Sequence, residues 1–324
     1  MSLVIKTIAV NAYAILVIVI HVIVHNQIAY LSIQNLNCYE NEPIDFYLYM
    51  FIKYSCDKTE NSSDINEIEP TKELITTTIY INQTVDGVDV QRPIIIQTPE
   101  NIDLSINYPL VFAFHGRGGT NTSWVNKLKS FTDNGEFIGI YPQGYLKSWN
   151  LGTEPSKADD VAFVNSIVEE LKEYKNLNMN KLYAIGTSNG SGMVNKLGIH
   201  TSHFKAIAPV VSQLMESMPI LDNSKPVSVF QINGAADTVI PIGGGPKLGH
   251  VFLDALKSAE LWATKFECSF PSEIKNLGED TLYIFKNCND NKEIRYLRIE
   301  KGQHNIHWGN PNLFVDIWEF FKRF

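Results

Sequence analysis

Ser188 is the residue of this chain whose surroundings best suit a nucleophile. It lies in the pattern Gly-x-Ser-x-Gly at residues 186–190. Such a serine occupies a tight turn between a strand and a helix, where the neighbouring glycines keep Cβ atoms out of a crowded corner and leave the hydroxyl exposed. Apolar residues 182–185 predict the strand, and residues 192–197 predict the helix. A purely structural turn is the alternative, because Gly and Ser are common in loops.

A serine hydroxyl is a weak nucleophile, so it needs an adjacent general base and an acidic residue that orients the base. In chains with this turn the order is Ser, then Asp or Glu, then His. Asp237 follows the predicted strand 227–233. It is therefore expected on a loop at the carboxyl end of a strand, where open α/β sheets bind their ligands. We predict that Asp237 is the acid of the site; capping a turn is its alternative role.

Three histidines follow Asp237 and could supply the base: His250, His304 and His307. His304 comes shortly after the predicted strand 294–299, which places it on another loop at a strand's carboxyl end. It is favoured over His307 because it is nearer to that strand end. His250 lies at the beginning of a predicted helix, residues 251–266, and is expected at the surface or facing the substrate.

Acyl transfer also needs hydrogen-bond donors for the developing oxyanion, and these are usually backbone N–H groups. Asn189 follows the nucleophile and would supply one of them. The second is expected from the loop after an earlier strand, and residues 114–119 have suitable glycines there. Arg117 is predicted to supply this N–H, whereas His115 is expected to orient the loop.

These side chains need a scaffold of strands whose carboxyl ends meet at one edge. After residue 70, apolar runs alternate with helical patterns, which predicts an α/β fold with a mostly parallel, twisted sheet and helices on both faces. The predicted strands are residues 73–82 and 88–98, joined at Asp86-Gly87, and residues 110–115, 137–141, 182–185, 206–211, 227–233 and 294–299. The predicted helices are residues 160–171, 192–197, 251–266 and 311–321.

The amino-terminal part of the chain has a different composition from the rest. Residues 7–39 contain no Asp, Glu, Lys or Arg, and residues 8–24 are nearly all apolar and follow Lys6. This pattern predicts a secretory signal peptide or an uncleaved signal anchor that tethers the protein to a membrane; a buried core helix is the alternative. We therefore divide the chain into residues 1–34 as leader, 35–70 as a variable segment and 71–324 as the catalytic domain.

Cysteines and net charge restrict the compartment and the partners. The four cysteines, an even number, suggest two disulfides in an exported protein, and proximity in sequence favours Cys38 with Cys56 and Cys268 with Cys288. Free buried thiols are the alternative, and the absence of a Cys-x-x-Cys pattern argues against a metal site. Asn61, Asn82 and Asn121 begin glycosylation sequons. The net charge of -8 gives no electrostatic reason to expect nucleic acid as a partner.

From about Asp86 to the carboxyl terminus the chain resembles the α/β-hydrolase esterases, in particular the polyhydroxybutyrate depolymerase-like, feruloyl and acetylxylan esterases. The motifs that carry this resemblance are His115-Gly116, Tyr141-Pro142-Gln143-Gly144, Ser148-Trp149-Asn150, Asp159-Asp160-Val161-Ala162-Phe163, the residues 186–190 with Met193, Asp237 before Val239-Ile240-Pro241, Trp262-Ala263 ahead of Cys268, and Cys288 before Gly302-Gln303-His304. The resemblance implies Ser188 as nucleophile, Asp237 as acid, His304 as base and a Cys268–Cys288 disulfide.

Two positions depart from the pattern of these esterases. Ser191 stands where a second glycine is usual, and the family's Gly-His-x-Trp-Pro is altered, since Trp308 comes later and Gly309 replaces the proline. The histidine of the family's motif therefore corresponds to either His304 or His307. Trp149, His307 and Trp308 are candidates for lining the substrate cleft, with core or loop packing as the alternative for the two tryptophans.

The sequence thus predicts a secreted or membrane-tethered serine carboxylesterase that needs neither cofactor nor metal. The predicted substrates are feruloyl or acetyl esters of polysaccharide. A polyester depolymerase of the polyhydroxybutyrate type is one alternative, and a peptidase on the same fold is another. A hypothesis of another class is a non-catalytic surface-binding or adhesion protein, which would be expected to lack a member of the triad.

Overall fold

The computed structural model describes residues 70–307 and 312–324 in full, and the backbone alone of residues 19–24, 27–32, 308, 309 and 311. Strands β1 (Val19–Val24) and β2 (Gln27–Ser32) pair antiparallel within a first unit, Met1–Ser63. The remainder of the predicted leader, nearly all of segment 35–70, Cys38, Cys56 and the sequon at Asn61 lie outside the described residues, so the signal or anchor stays a prediction. In the described part, no helix is long and apolar enough to cross a membrane.

The second unit, Asp64–Phe324, carries all the residues with predicted chemistry. Its strands are β3 (Thr77–Val85), β4 (Val88–Gln97), β5 (Tyr108–Phe114), β6 (Ile138–Pro142), β7 (Leu177–Thr187), β8 (Phe204–Val210), β9 (Ser228–Gly234), β10 (Gly245–Lys247), β11 (His250–Phe252), β12 (Glu273–Leu277), β13 (Asp280–Phe285) and β14 (Ile294–Ile299). Its helices are α1 (Val125–Asp133), α2 (Asp160–Leu171), α3 (Asn189–His200), α4 (Ala255–Lys265), α5 (Ile306–Gly309) and α6 (Pro311–Phe321).

Ten of these strands form one sheet in the order β12-β13-β14-β9-β8-β7-β5-β6-β4-β3. The six central strands, from β14 to β6, are parallel to one another, and an antiparallel hairpin closes each edge. The loops that follow β5, β7, β9 and β14 therefore all leave the sheet at the same edge. The predicted mostly parallel sheet is confirmed.

Helices cover both faces of the sheet, because successive residues of a central strand point to opposite sides and both sides are apolar. Along β5, Phe112 and Phe114 join one core cluster, which includes residues of α2, α3 and α4. Val111 and Ala113 join the other, which includes residues of α1 and α6. All four are at most 2% exposed. The strands that hold the functional loops are thus fixed from both faces.

The predicted helix 251–266 begins too early. Residues 250–252 form strand β11, which pairs with β10, and the helix starts only at Ala255. Asp254 caps it, since its side chain accepts a hydrogen bond from the Lys257 N–H. The apolar residues of β11 continue the helical pattern without a break, which is why the sequence merged the two elements.

Two further differences concern elements that the sequence left out. Helix α1 and the edge hairpin β12–β13 were not predicted. Every residue of β12 is exposed, so this strand has no buried face that would mark it by alternating apolar and polar residues.

The predicted disulfide between Cys268 and Cys288 is present, and it joins the segment after α4 to the segment after β13.

Candidate active site

Ser188 lies between β7 and α3 with a strained backbone. Its φ of 55° and ψ of -118° are values that a residue with a side chain rarely adopts. The two glycines of the motif make the turn possible by close packing: a Cβ atom on Gly186 would lie 2.2 Å from the Gly190 carbonyl oxygen, and one on Gly190 would lie 2.2 Å from the Phe114 carbonyl oxygen. Both glycines are therefore required by the close approach of backbone to backbone.

His304 bridges Ser188 and Asp237. Its Nε2 lies 2.9 Å from Ser188 Oγ, and its Nδ1 lies 2.7 Å from Asp237 Oδ2. Because a carboxylate only accepts hydrogen bonds, Nδ1 carries the proton and Nε2 is left to accept the serine proton. These three residues come from the loops after β7, β9 and β14, as the sequence predicted for each. The arrangement can deprotonate a serine hydroxyl during attack on a carbonyl carbon.

Asp237 is fixed in its loop by its second oxygen. Oδ1 accepts hydrogen bonds from the N–H groups of Val239 (2.8 Å) and Ile240 (3.0 Å), which leaves Oδ2 for His304. The Asp237 side chain is only 1% exposed, whereas that of His304 is 23% exposed. The carboxylate is thus shielded from water, while the imidazole edge remains accessible to a substrate.

The loop after β5 lies against the nucleophile, as predicted. A Cβ atom on Gly116 would lie 3.5 Å from Ser188 Cβ. The Gly118 and Gly119 amides of this loop donate to the carbonyls of Lys147 and Gly116 and are therefore already engaged. The backbone N–H groups of Arg117 and Asn189 remain the predicted donors to the oxyanion.

Glu154 is a member of the site that the sequence analysis missed. Its Oε1 accepts from Arg117 Nη2 (2.9 Å) and Asn189 Nδ2 (3.3 Å), and it lies 2.9 Å from His250 Nε2. Burial raises the pKa of this carboxyl, but the hydrogen bonds from His250 and from the Leu151 amide outweigh it and hold the pKa below its ordinary value. Glu154 is thus a buried carboxylate next to both predicted oxyanion donors.

His250 does not lie at the surface and does not begin a helix. It is 6% exposed and stands on β11, where Nε2 contacts Glu154 Oε1 and, at 2.8 Å, Thr153 Oγ1. His307 is also buried, at 9% exposed, and burial together with the nearby Lys127 and His304 charges lowers its pKa to about 4. The Trp308 side chain lies outside the described residues, so its place in the cleft is still a prediction.

Trp149 is fully buried, so its side chain packs in the interior next to the site and is not exposed in the cleft. Its indole N–H donates to the His115 carbonyl oxygen (2.8 Å), and its backbone exchanges two hydrogen bonds with the Asn189 side chain, of 2.7 and 3.0 Å. The sequence could not distinguish this role from substrate contact, because a large aromatic suits both.

His115 orients its loop, as expected. The Gly144 N–H donates to its Nε2 at 3.0 Å, so Nδ1 carries the proton and donates to the Gly116 carbonyl oxygen at 2.8 Å. Burial lowers the pKa of His115 to about 4, an effect that the Gly116 hydrogen bond opposes and the Arg92 charge reinforces. The ring is therefore neutral at physiological pH, and its two hydrogen bonds hold the loop after β5 in place.

A small cavity of about 50 Å³ opens beside Ser188. Arg117, Glu154 and His250 form its polar side, and its apolar lining consists of Leu151, Ile240, Leu248 and Phe252. Among the described residues, no group of three or more His, Cys, Asp or Glu side chains is arranged to hold a metal ion. The groups of this cleft that can take part in a reaction are the Ser188 hydroxyl and the His304 imidazole, and backbone amides are the predicted hydrogen-bond donors.

Comparison with known proteins places the fold. No family model matches the chain. "Feruloyl esterase B" of Piromyces equi is 24% identical over 252 residues, which cover 72% of this chain and 45% of that protein. "Probable feruloyl esterase C" of Aspergillus terreus is 24% identical over 252 residues, which cover 74% of this chain and 85% of that protein. The chain therefore spans less than half of the first relative and most of the second.

The solved structure of an acetyl xylan esterase from Aspergillus awamori superimposes with a TM-score of 0.56 at 13% identity, covering 76% of this chain and 99% of that one. At this identity the match shows the fold alone. The chain has the α/β-hydrolase fold, and its relatives belong to the esterases that its motifs resemble. Both expectations from the sequence are confirmed.

Proposed function

We propose that this α/β-hydrolase is a serine carboxylesterase that acts through Ser188, His304 and Asp237. The observation that carries the proposal is the continuous hydrogen-bond chain from Ser188 Oγ through the imidazole to Asp237 Oδ2, with distances of 2.9 and 2.7 Å. The imidazole of His304 already has the tautomer that acyl transfer needs, with its proton on Nδ1 and with Nε2 free to accept the serine proton.

In the first half of the reaction Ser188 Oγ bonds to the ester carbonyl carbon while its proton passes to His304 Nε2. The carbonyl oxygen becomes an oxyanion and accepts from the Arg117 and Asn189 amides, each such donor being worth roughly 10²–10³ in kcat. Asp237 stabilises the imidazolium. When the carbon–oxygen bond to the alcohol breaks, His304 returns the proton to the leaving oxygen, and an acyl-Ser188 intermediate remains.

In the second half a water molecule takes the place of the alcohol. His304 accepts its proton as the water oxygen bonds to the acyl carbon, and the same two amides hold the second oxyanion. Collapse releases the carboxylic acid and returns the proton to Ser188 Oγ. The cycle uses only the groups of the cleft and water.

The proposed substrates are feruloyl or acetyl esters of plant polysaccharide. Support comes from the names of the relatives, which are feruloyl esterases, and from the motif resemblance between residue 86 and the carboxyl terminus. We also propose that the protein is exported, because its leader is apolar after Lys6 and because the Cys268–Cys288 disulfide suits an oxidising compartment. Retention on a membrane through residues 8–24 stays a prediction.

The test is hydrolysis by the full chain of p-nitrophenyl acetate, methyl ferulate, acetylated xylan and polyhydroxybutyrate, compared with Ser188→Ala. We expect the wild type to hydrolyse the nitrophenyl ester and at least one polysaccharide-type ester, and the variant to lose the activity. Activity on polyhydroxybutyrate alone would support the polyester depolymerase instead. A wild type as inert as Ser188→Ala on every ester would contradict the proposal and favour a binding protein.

A further inference from the structure

We propose that Glu154 is a positioning residue that fixes the two backbone donors of the oxyanion hole. This inference rests on the proposed esterase function. Its basis is that one buried carboxylate oxygen accepts from the side chains of both Arg117 and Asn189, the two residues whose backbone amides are the predicted oxyanion donors. Because both side chains are attached to one atom, the two backbone segments keep their positions relative to Ser188.

The two predicted donors lie on segments that are distant in sequence. Arg117 is on the irregular loop after β5, and Asn189 begins α3. The Arg117 side chain is 44% exposed, so its attachment to Glu154 at 2.9 Å is the main restraint on its direction. Asn189 is also attached to the Trp149 backbone. Glu154 is the one acceptor that the two donor residues share among the described side chains.

The burial of Glu154 favours the conformation in which its donors are in place. The Glu154 side chain is 1% exposed, and a buried carboxylate is unfavourable unless its hydrogen-bonding capacity is filled. Oε1 is engaged by Arg117 and Asn189, and Oε2 accepts from the Leu151 N–H at 2.8 Å. Movement of either donor side chain would remove one of the hydrogen bonds that compensate the buried charge, which favours the state with both in place.

The hairpin β10–β11 adds a further contact to Glu154. It delivers His250, whose Nε2 lies 2.9 Å from the same Oε1 and 2.8 Å from Thr153 Oγ1. Glu154 is therefore held by three segments that are distant in sequence: the loop after β5, the beginning of α3 and strand β11. A carboxylate that only stabilised its own loop would not need partners on both oxyanion residues.

The test is Glu154→Gln, which keeps the size of the side chain and removes its charge. We expect kcat for p-nitrophenyl acetate to fall about 10- to 100-fold with little change in KM, since the loosened amides act mainly on the transition state. Phenylboronic acid, whose boronate oxygen occupies the oxyanion position, should bind more weakly by a similar factor. Glu154→Asp keeps the charge and should recover part of kcat.

The matched control is Glu293→Gln. Glu293 is 6% exposed and accepts from Arg295 and Arg323, so the substitution is alike in burial and charge but lies outside the cleft. It should lower the melting temperature and leave kcat per folded molecule unchanged. The proposal is overturned if Glu154→Gln keeps kcat within about twofold of the wild type, or if kcat and boronate affinity fall only as much as in the control.

A second variant keeps the proposal testable should Glu154→Gln fail to fold. Arg117→Met removes one donor to Glu154 from a half-exposed position and keeps the backbone N–H. We expect a fall in kcat without a rise in KM; an unchanged kcat would overturn the inference. Failure of the esterase function itself gives a different result, because the wild type would then be as inactive on every ester as Ser188→Ala.

Discussion

Gly234 and Gly302 are packed so closely that a Cβ atom on Gly234 would lie 2.2 Å from the Gly302 carbonyl oxygen. The same carbonyl accepts a hydrogen bond from the Ala236 N–H at 2.9 Å. Gly234 ends β9, three residues before Asp237, and Gly302 comes two residues before His304. The distance between the acid and the base is thus set by backbone contact between their two loops.

Gly234→Ala is expected to force these loops apart, because backbone cannot give way as a flexible side chain can. A misplacement of about 1 Å costs on the order of 100-fold in rate, so kcat should fall by about that factor, together with thermal stability. The control is Gly243→Ala, where nothing lies within 4 Å of the added Cβ. Equal activity of the two variants would show that the glycine contact does not set the geometry.

Asp237→Asn is expected to reduce kcat by about 10³- to 10⁴-fold with little loss of stability. An asparagine oxygen can still accept from the Val239 and Ile240 amides, so its NH₂ group would face His304 Nδ1 and drive the imidazole proton to Nε2. That tautomer cannot accept the proton of Ser188. Asp222→Asn, at an exposed surface ion pair with Lys265, should leave the esterase rate unchanged. A rate loss under tenfold in Asp237→Asn would argue against the triad.

Acid should destabilise the protein between pH 6.5 and about 4 through His115. Its folded pKa is about 4, below the ordinary 6.5, so the unfolded chain binds more protons in this window and stability falls as pH falls. The full shift corresponds to about 3 kcal/mol, present above pH 6.5 and lost towards pH 4. Urea unfolding across this range should show a shallower pH dependence in His115→Asn. An unchanged dependence would show that His115 is not buried as a neutral ring.

The buried ion pair between Arg92 and Asp160 should be strongly coupled. Their side chains are 2% and 0% exposed with an N–O distance of 2.7 Å, and the guanidinium carbon lies 3.6 Å from the centre of the Phe163 ring. Arg92→Met or Asp160→Asn alone leaves an unpaired buried group and should cost about 3–5 kcal/mol of unfolding free energy. The double variant should cost clearly less than the sum of the two, and additivity in denaturant unfolding would exclude a direct pairing.

The sequence predicted the parts of the site that local patterns define. The five-residue turn around Ser188 constrains its own backbone, and Asp237 and His304 follow apolar strands whose carboxyl ends must meet at one edge of a parallel sheet. Chain order then limited the choice of base. These inferences depended on strand ends and on the motif resemblance, and both are readable without distances.

Glu154 and His250 show what the sequence could not provide. Glu154 lies in the irregular segment between residue 150 and α2, and its partners Arg117 and His250 are 37 and 96 residues away. No periodicity marks such a residue, since its function depends on three segments meeting. His250 was assigned to the beginning of a helix because the short strand β11 continues the apolar pattern of α4. The signal that would have drawn attention to Glu154 is an acidic residue in an irregular loop between two motif segments.

The antiparallel hairpins at the two edges of the sheet carry none of the loops that hold Ser188, Asp237 and His304. Those loops follow β7, β9 and β14, which lie inside the sheet with a neighbour on either side. In amide hydrogen exchange the edge strands β3 and β12 should therefore open first, with little effect on the rate of hydrolysis. The esterase activity would then depend on the slowest-exchanging strands of the sheet. Loss of that activity on heating would mark the temperature at which the central strands open.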